Sequence, residues 1–169
     1  IKKDVILSNL KIKDIDLNYF NSLIFRRLKR EPIAKIIKQK SFWKSEFFVN
    51  SNVLDPRPET ELIIEEVLRN INDKNKKLKI LDIGTGCGCL AISLAKEYKN
   101  SKITAIDISK KAIEVARINT KLHNVENQII LKNSNFENII NKYDLIISNP
   151  PYITEDDYEK LQEEIRKFE

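Results

Sequence analysis

Two patterns of hydrophobic and polar residues divide the chain, and the change between them falls near residue 79. Before that point, apolar positions recur at helical spacing over residues 17–37, which predicts an amphipathic helix. Pro32 opens a second short element within this stretch. The apolar residues of Phe42-Trp43 and Phe47-Phe48-Val49 alternate with polar ones and predict a short β-hairpin. A further helix is expected to begin near Pro58, because proline favours the first helical position.

After residue 79, short apolar strands alternate with helices. The strands are predicted at residues 80–83, 103–107, 128–131 and 143–148, and the helices at 90–98 and 112–122. This order is typical of an α/β fold, in which a parallel sheet carries helices on both faces. We therefore divide the chain into a partial N-terminal helical domain (1–40), a hairpin with a linker helix (41–78) and an α/β core (79–169).

Composition narrows the class of protein. With 169 residues and 41% hydrophobic content, the chain can bury a core. Its apolar runs fall well short of the ~20 residues of a membrane span. Cys87 and Cys89 are one residue apart, a spacing at which a disulfide would be strained, and no Cys or His cluster completes a zinc site. We expect reduced thiols, a cytoplasmic location, no membrane association and no metal.

The charge is uneven along the chain. Residues 1–79 carry 18 basic and 11 acidic side chains, a net charge of +7, whereas residues 80–169 carry 12 and 14, a net charge of −2. A basic N-terminal half could bind nucleic acid or an acidic protein surface. The simpler interpretation is a solvated, lysine-rich surface. Direct nucleic-acid binding is therefore not the favoured prediction.

All three glycines of the chain fall in one loop, Asp82-Ile83-Gly84-Thr85-Gly86-Cys87-Gly88, behind a strand and in front of a helix. Glycine permits positive φ and lets the backbone approach a ligand closely. Asp107 lies 19 residues after Gly88, at the end of the next strand, where an acid can accept both hydroxyls of a ribose. The G-x-G-x-G spacing favours S-adenosylmethionine over a dinucleotide, and Asp82 could hold the ammonium of its amino-acid tail, directly or through water. The alternative is a tight turn without a ligand.

A second motif, Asn149-Pro150-Pro151-Tyr152, ends the last apolar strand. Two prolines restrict the backbone and remove N–H donors, so that the segment presents mostly acceptors beside an aromatic ring. Such a site suits a planar NH2 group of an amide or an exocyclic amine. The alternative is a rigid turn without chemistry. Because ligands of parallel sheets lie beyond the carboxyl ends of the strands, the glycine loop and this motif should face each other.

With these motifs the sequence resembles the class I S-adenosylmethionine-dependent methyltransferases that act on planar nitrogen. Within that class it is most similar to the protein N5-glutamine methyltransferases of peptide chain release factors. The segments that carry this resemblance are Arg26-Arg27, Glu31-Pro32-Ile33-Ala34, Phe42-Trp43, Pro56-Arg57-Pro58-Glu59-Thr60-Glu61 and Ile165-Arg166-Lys167-Phe168-Glu169. DNA adenine methyltransferases share the Asn-Pro-Pro-Tyr motif, and the Pro56–Glu61 block favours the protein-modifying family.

The resemblance implies a role for each site residue. The Asn149 side-chain oxygen and the Pro150 carbonyl would accept the two N–H bonds of a glutamine amide, and Tyr152 would pack on the amide or beside the sulfonium. Pro151 and Arg57 complete the implied substrate site, although Arg57 could instead brace the linker. Where the family usually has an acidic residue and then an aromatic one for the adenine, this chain has Ser134, Asn135 and Phe136. The cofactor-binding residues implied are Asp82, Gly84, Thr85, Gly86, Gly88, Asp107, Ile108, Ser134, Asn135, Phe136 and Asn149.

The resemblance also implies a Rossmann-like methyltransferase sheet of which this chain has only the first four strands, preceded by part of a substrate-recognition domain. We therefore expect a fragment of a longer polypeptide. The predicted activity is methyl transfer to a release-factor glutamine. A DNA adenine-N6 or cytosine-N4 methyltransferase, and a truncated module that binds cofactor or partner without turnover, remain as alternatives.

Overall fold

The computed structural model describes residues 16–150 together with Lys167. In chain order its elements are α1 (Leu17–Leu28), α2 (Ile33–Ile37), β1 (Gln39–Phe42), β2 (Ser45–Phe48), a 3₁₀ turn (Pro58–Thr60), α3 (Glu61–Asn70), β3 (Lys79–Ile83), α4 (Cys89–Glu97), β4 (Lys102–Asp107), α5 (Lys110–Leu122), β5 (Ile129–Asn133), a second 3₁₀ turn (Phe136–Asn138) and β6 (Leu145–Ser148). No helix within these ranges is long and apolar enough to cross a lipid bilayer.

The last four strands form a parallel sheet in the order β5-β4-β3-β6. The chain moves from β3 outwards to β5 and then returns to the opposite side of β3, so the strand order reverses between β3 and β6. Ligands of parallel α/β sheets bind at this reversal point. The predicted α/β fold with a Rossmann-like, four-stranded parallel sheet is confirmed. The first and fourth strands of this sheet, β3 and β6, pair directly.

The core lies between one face of this sheet and the helices α3, α4 and α5. Ile80, Ile103 and Ile129 share this face and are almost fully buried, and α4 and α5 pack on β4 and β5. On the opposite face, Ile130 and Ile146 are 55% and 59% exposed. We expected helices on both faces. Within the described residues, they cover one face of the sheet and leave the other partly open.

The stretch over residues 17–37 forms two helices, and Pro32 opens the second as predicted. Asp16 caps α1, because its carboxylate accepts the N–H groups of Asn18 and Tyr19 at 3.0 Å. The helix ends at Leu28, and α2 begins after Pro32, which cannot continue the helical hydrogen bonding. Arg26 of α1 forms an ion pair with Glu31 in the connecting loop and donates to the carbonyls of Lys35 and Ile36 in α2.

The predicted β-hairpin is confirmed, and its two-residue turn is Trp43-Lys44. Trp43 adopts a φ of 52°, a left-handed conformation that is costly for a bulky residue. Two acids offset this cost. The Trp43 backbone N–H donates to Glu61 Oε1 at 2.7 Å, and its indole N–H donates to Glu97 Oε1 at 3.0 Å. The turn is thereby fixed to the start of α3 and the end of α4.

Glu97 makes the stability of this junction depend on pH. Burial alone would raise the pKa of Glu97, but hydrogen bonds from Lys44 and Trp43, with the charge of Lys44, lower that pKa to about 2. A lowered folded-state pKa stabilises the protein above the ordinary value near 4.5, and this contribution is lost as the pH falls through about 2.

We expect Glu97→Gln to lower the free energy of unfolding at pH 7 by roughly 1–2 kcal/mol. This energy is smaller than the pKa shift alone would give, because solvent around Lys44 screens its interaction with Glu97. The difference in the free energy of unfolding between the parent and the variant should become smaller as the pH falls from about 4.5 to about 2. Urea unfolding at several pH values measures it, with the exposed Glu65→Gln as control. A deficit that is constant over this range would contradict the assignment.

Candidate active site

A cavity of about 460 Å³ lies at the carboxyl ends of β3, β4 and β6, within the size range of small-molecule sites. It brings together residues that are up to 98 positions apart in the sequence. Eleven of the predicted site residues line it: Arg57, Gly84, Thr85, Gly86, Asp107, Ile108, Ser134, Asn135, Phe136, Asn149 and Pro150. The two predicted motifs therefore share one cavity.

The glycine loop turns tightly between β3 and α4, and the N–H groups of Gly84 and Thr85 both donate to the Ile106 carbonyl at 2.9 Å. Gly88 is required for close packing. Its φ is 84°, and a Cβ there would lie 3.2 Å from Ile92 Cδ1 and 3.4 Å from Ala116 Cβ. Gly88 thus lies behind the cavity wall, where it lets α4 approach α5, and it is not among the lining residues.

Asp107 is held at the tip of β4 by the backbone. Its Oδ2 accepts the Gly86 N–H and its Oδ1 accepts the Ser109 N–H, each at 2.9 Å. A carboxylate oxygen has two lone pairs, so one on each oxygen is still available. A fixed carboxylate with two available acceptor sites in the cavity is suited to a pair of neighbouring hydroxyls.

Asp82 lies beneath the loop, only 1% exposed, and does not line the cavity. Thr85 Oγ1 donates to its Oδ2 at 2.7 Å, whereas its buried Oδ1 has no hydrogen-bond partner. Burial raises the pKa of Asp82 to about 6, against the opposing effect of the Thr85 hydrogen bond. An unsatisfied carboxylate oxygen next to the loop can accept from a cation or a water molecule that reaches it.

Ser134, Asn135 and Phe136 line the cavity after β5. The Ser134 hydroxyl donates to the Asn135 carbonyl at 2.9 Å, and Asn135 Nδ2 donates to Glu137 Oε2 at 3.0 Å. With its amide nitrogen engaged, Asn135 has its Oδ1 as the remaining acceptor. Phe136 is 59% exposed and offers an apolar ring beside these polar groups.

Asn149 and Pro150 reach the cavity from the end of β6. Asn149 Nδ2 donates to Thr60 Oγ1 at 2.7 Å, a contact between positions 89 residues apart in sequence. The predicted residues Pro151 and Tyr152 lie outside the described residues. Arg57 also lines the cavity, just before the 3₁₀ turn.

Two groups of buried residues that support the cavity were missed by the sequence predictions. The wall formed by residues 52–57 is anchored by an ion pair between Lys35 Nζ and Asp55 Oδ1 at 2.7 Å, with both residues 4% exposed. Asn119 is fully buried: its Nδ2 donates to the carbonyls of Phe48 and Cys87, and its Oδ1 accepts the Phe48 N–H. Asn119 thus ties the hairpin to the glycine loop.

The comparisons with known proteins agree with this geometry. A sequence model of the methyltransferase small domain matches residues 55–167. The chain is 38% identical over 170 residues to a release factor glutamine methyltransferase of Flavobacterium psychrophilum, covering 98% of this chain and 60% of that protein. It is 43% identical over 173 residues to a bifunctional methyltransferase of Rickettsia typhi, covering 91% of this chain and 33% of that protein. The chain thus spans at most 60% of the length of these curated relatives.

Solved structures support the fold. A SAM-dependent methyltransferase from Agrobacterium tumefaciens aligns with a TM-score of 0.55 at 24% identity, covering 67% of this chain and 39% of that one. A tRNA (uracil-54, C5)-methyltransferase of Pyrococcus abyssi, in complex with S-adenosyl-L-homocysteine, aligns with a TM-score of 0.51 at 22% identity. The alignment covers 67% of this chain and 28% of that one. Because the family model covers the cavity and most of the sequence, this chain belongs to the methyltransferase small domain family.

Proposed function

We propose that the polypeptide carrying this chain transfers a methyl group from S-adenosylmethionine to the side-chain amide nitrogen of a glutamine in a peptide chain release factor. One observation carries the proposal: an amide side chain, Asn149, shares a cavity with the glycine loop and with Asp107. A methyl donor and a planar NH2 acceptor would therefore meet in one cavity.

The cavity fits the cofactor in three respects. Asp107 has an acceptor site available on each oxygen for the ribose hydroxyls, and the loop from Gly84 to Gly86 leaves room for the adenosine. Beneath the loop, the buried and unsatisfied oxygen of Asp82 suits the ammonium group through a water molecule. Ser134, Asn135 and Phe136 supply acceptors and a ring for the adenine. When bound, the cofactor supplies an electrophilic methyl group.

The acceptor side of the reaction needs precise positioning, because an amide nitrogen shares its lone pair with its carbonyl and is a poor nucleophile. The Asn149 Oδ1 and the Pro150 carbonyl would each accept one N–H bond of the glutamine. Two fixed acceptors would hold the nitrogen in line for attack and favour its rehybridisation as the new C–N bond forms. The nitrogen would displace S-adenosylhomocysteine as the leaving group and release one N–H proton to water. Tyr152 and Pro151 would complete this site, and Arg57 would contact the substrate or brace the loop.

The choice of substrate rests on relatives. Release factor glutamine methyltransferases of Flavobacterium psychrophilum and Buchnera aphidicola align along nearly the whole chain at 38% and 39% identity. The Pro56–Glu61 block, which favours this family over DNA methyltransferases, forms a wall of the cavity through Pro56, Arg57 and Thr60. We propose a cytoplasmic location, where release factors act, and reduced thiols at the buried Cys87 and Cys89 agree with it.

Methyl transfer distinguishes the candidate functions. The native polypeptide is incubated with labelled S-adenosylmethionine and, in turn, a release factor, the same factor with its target Gln→Ala, and double-stranded DNA. We expect label only on the unaltered factor. Label on DNA would favour the base-modifying alternative, and cofactor binding without transfer to any acceptor would favour a non-catalytic module.

Asp107→Ala should weaken the binding of S-adenosylhomocysteine by about 10²-fold, because two charge-assisted hydrogen bonds to hydroxyls are lost. Isothermal titration calorimetry measures the dissociation constant. Asp73→Ala, which removes an acid outside the cavity, serves as the control. Equal affinities for the Asp107 variant and the parent would exclude the ribose role.

A further inference from the structure

The hydrogen bond between Asn149 and Thr60 joins the end of β6 to a different part of the chain. Thr60 is 6% exposed, and its Oγ1 lies 2.7 Å from Asn149 Nδ2. Both residues line the cavity. The contact therefore occurs at the acceptor site itself, between a buried hydroxyl and the residue that is proposed to hold the substrate amide.

Thr60 is itself held firmly. It ends the 3₁₀ turn that begins at Pro58, and its N–H donates to the Arg57 carbonyl at 3.0 Å. Two prolines restrict the backbone on either side of Arg57. Just before them, Asp55 is paired with Lys35, whose Nζ also donates to the Asn50 carbonyl at 2.9 Å and to the Val53 carbonyl. The Thr60 hydroxyl is thus presented from a rigid, anchored loop.

An asparagine side chain has two ends of opposite character. Its oxygen accepts hydrogen bonds and its nitrogen donates them, and a half-turn of the amide exchanges the two. Only the oxygen end can accept a hydrogen bond from a substrate NH2 group. If the nitrogen end faced the substrate, two N–H donors would point at each other with no acceptor between them. A threonine hydroxyl can accept or donate a hydrogen bond, and in this structure it accepts from Nδ2. Oδ1 is then the end of Asn149 that remains to accept.

We propose that Thr60 is a positioning residue that fixes the amide orientation of Asn149, so that the side-chain oxygen faces the substrate NH2 group. This inference rests on the proposed function, and it assigns to the Pro56–Glu61 block a role in the reaction. Thr60 acts through Asn149 and does not itself need to touch the substrate. The hydroxyl group is essential to this role, whereas the methyl group of the threonine is not.

Two matched variants distinguish the effect of the Thr60 hydroxyl group from the effect of side-chain volume. Thr60→Val keeps the shape and removes the acceptor, whereas Thr60→Ser keeps the acceptor and removes a methyl group. In the native polypeptide, we expect Thr60→Val to lower kcat for the release factor by about 10–100-fold, because a misplaced acceptor misaligns the nitrogen. Thr60→Ser should stay within about threefold of the parent, and both variants should bind S-adenosylhomocysteine as the parent does.

A second readout does not depend on turnover. The side-chain NH2 signals of Asn149, assigned by their loss in Asn149→Ala, are followed by ¹⁵N NMR. In Thr60→Val they should shift and exchange faster with water, and in Thr60→Ser they should resemble the parent.

Unchanged NH2 signals in Thr60→Val, or equal loss of kcat in the Val and Ser variants, would overturn the positioning role. If the parent transfers no methyl group to the release factor, the proposed function fails, and the NMR result still decides the role of Thr60.

Discussion

Asn149→Ala is expected to lower the rate of methyl transfer to the release factor by about 10²–10³-fold, the loss typical of removing one group that stabilises a developing charge. Without the Asn149 oxygen, one N–H bond of the glutamine has no acceptor, and the nitrogen is free to turn away from the methyl donor. Initial rates at saturating cofactor and release factor give kcat.

The control is Asn141→Ala, which removes an exposed asparagine outside the cavity and should leave kcat unchanged. Both variants should melt within a few degrees of the parent, because Asn149 is half-buried and makes a single described side-chain hydrogen bond. An Asn149→Ala enzyme that keeps more than a tenth of the parental kcat would exclude Asn149 as the amide acceptor.

Asn119→Ala is expected to lower the free energy of unfolding by about 3–4 kcal/mol. The substitution leaves the N–H and carbonyl of Phe48 and the carbonyl of Cys87 without their partner in a buried region, and each unsatisfied group carries a desolvation penalty. Because Cys87 belongs to the glycine loop, affinity for S-adenosylhomocysteine should fall as well.

Chemical denaturation measures the loss of stability. Asn100→Ala, at an exposed asparagine that donates a single hydrogen bond to the Asn75 carbonyl, should cost less than about 1 kcal/mol. Equal effects of the two substitutions would mean that the buried network contributes nothing beyond an ordinary surface hydrogen bond.

Much of this fold could be predicted from sequence because its signals are local. The strand that becomes β3 is a short apolar run in the sequence. Ser109 is a favourable capping residue and caps α5, its hydroxyl accepting the Ala112 N–H at 3.2 Å. Ligands lie beyond the carboxyl ends of parallel strands. This rule predicts that one cavity contains the glycine loop, Asp107 and Asn149, as the structure shows.

The missed features depend on contacts between distant positions. Lys35 and Asp55 look like surface charges until the fold buries them together, and Thr60 looks like part of a helix start. Asn119 did carry a local signal, because it follows Ala112, Val115 and Ala116 at helical spacing and so lies on the buried face of α5. A polar residue at such a position indicates a buried hydrogen-bond network.

The turn at Trp43 has a practical consequence for experiments. Trp43 is the only tryptophan of the chain, and its indole ring is half-buried with its N–H on Glu97. Its fluorescence therefore reports on one place, the junction where the hairpin meets α3 and α4. If the hairpin separates from the α/β core before that core unfolds, the emission changes first and the helical circular dichroism later. The protein thus contains a built-in optical probe that can tell stepwise from concerted unfolding without any label.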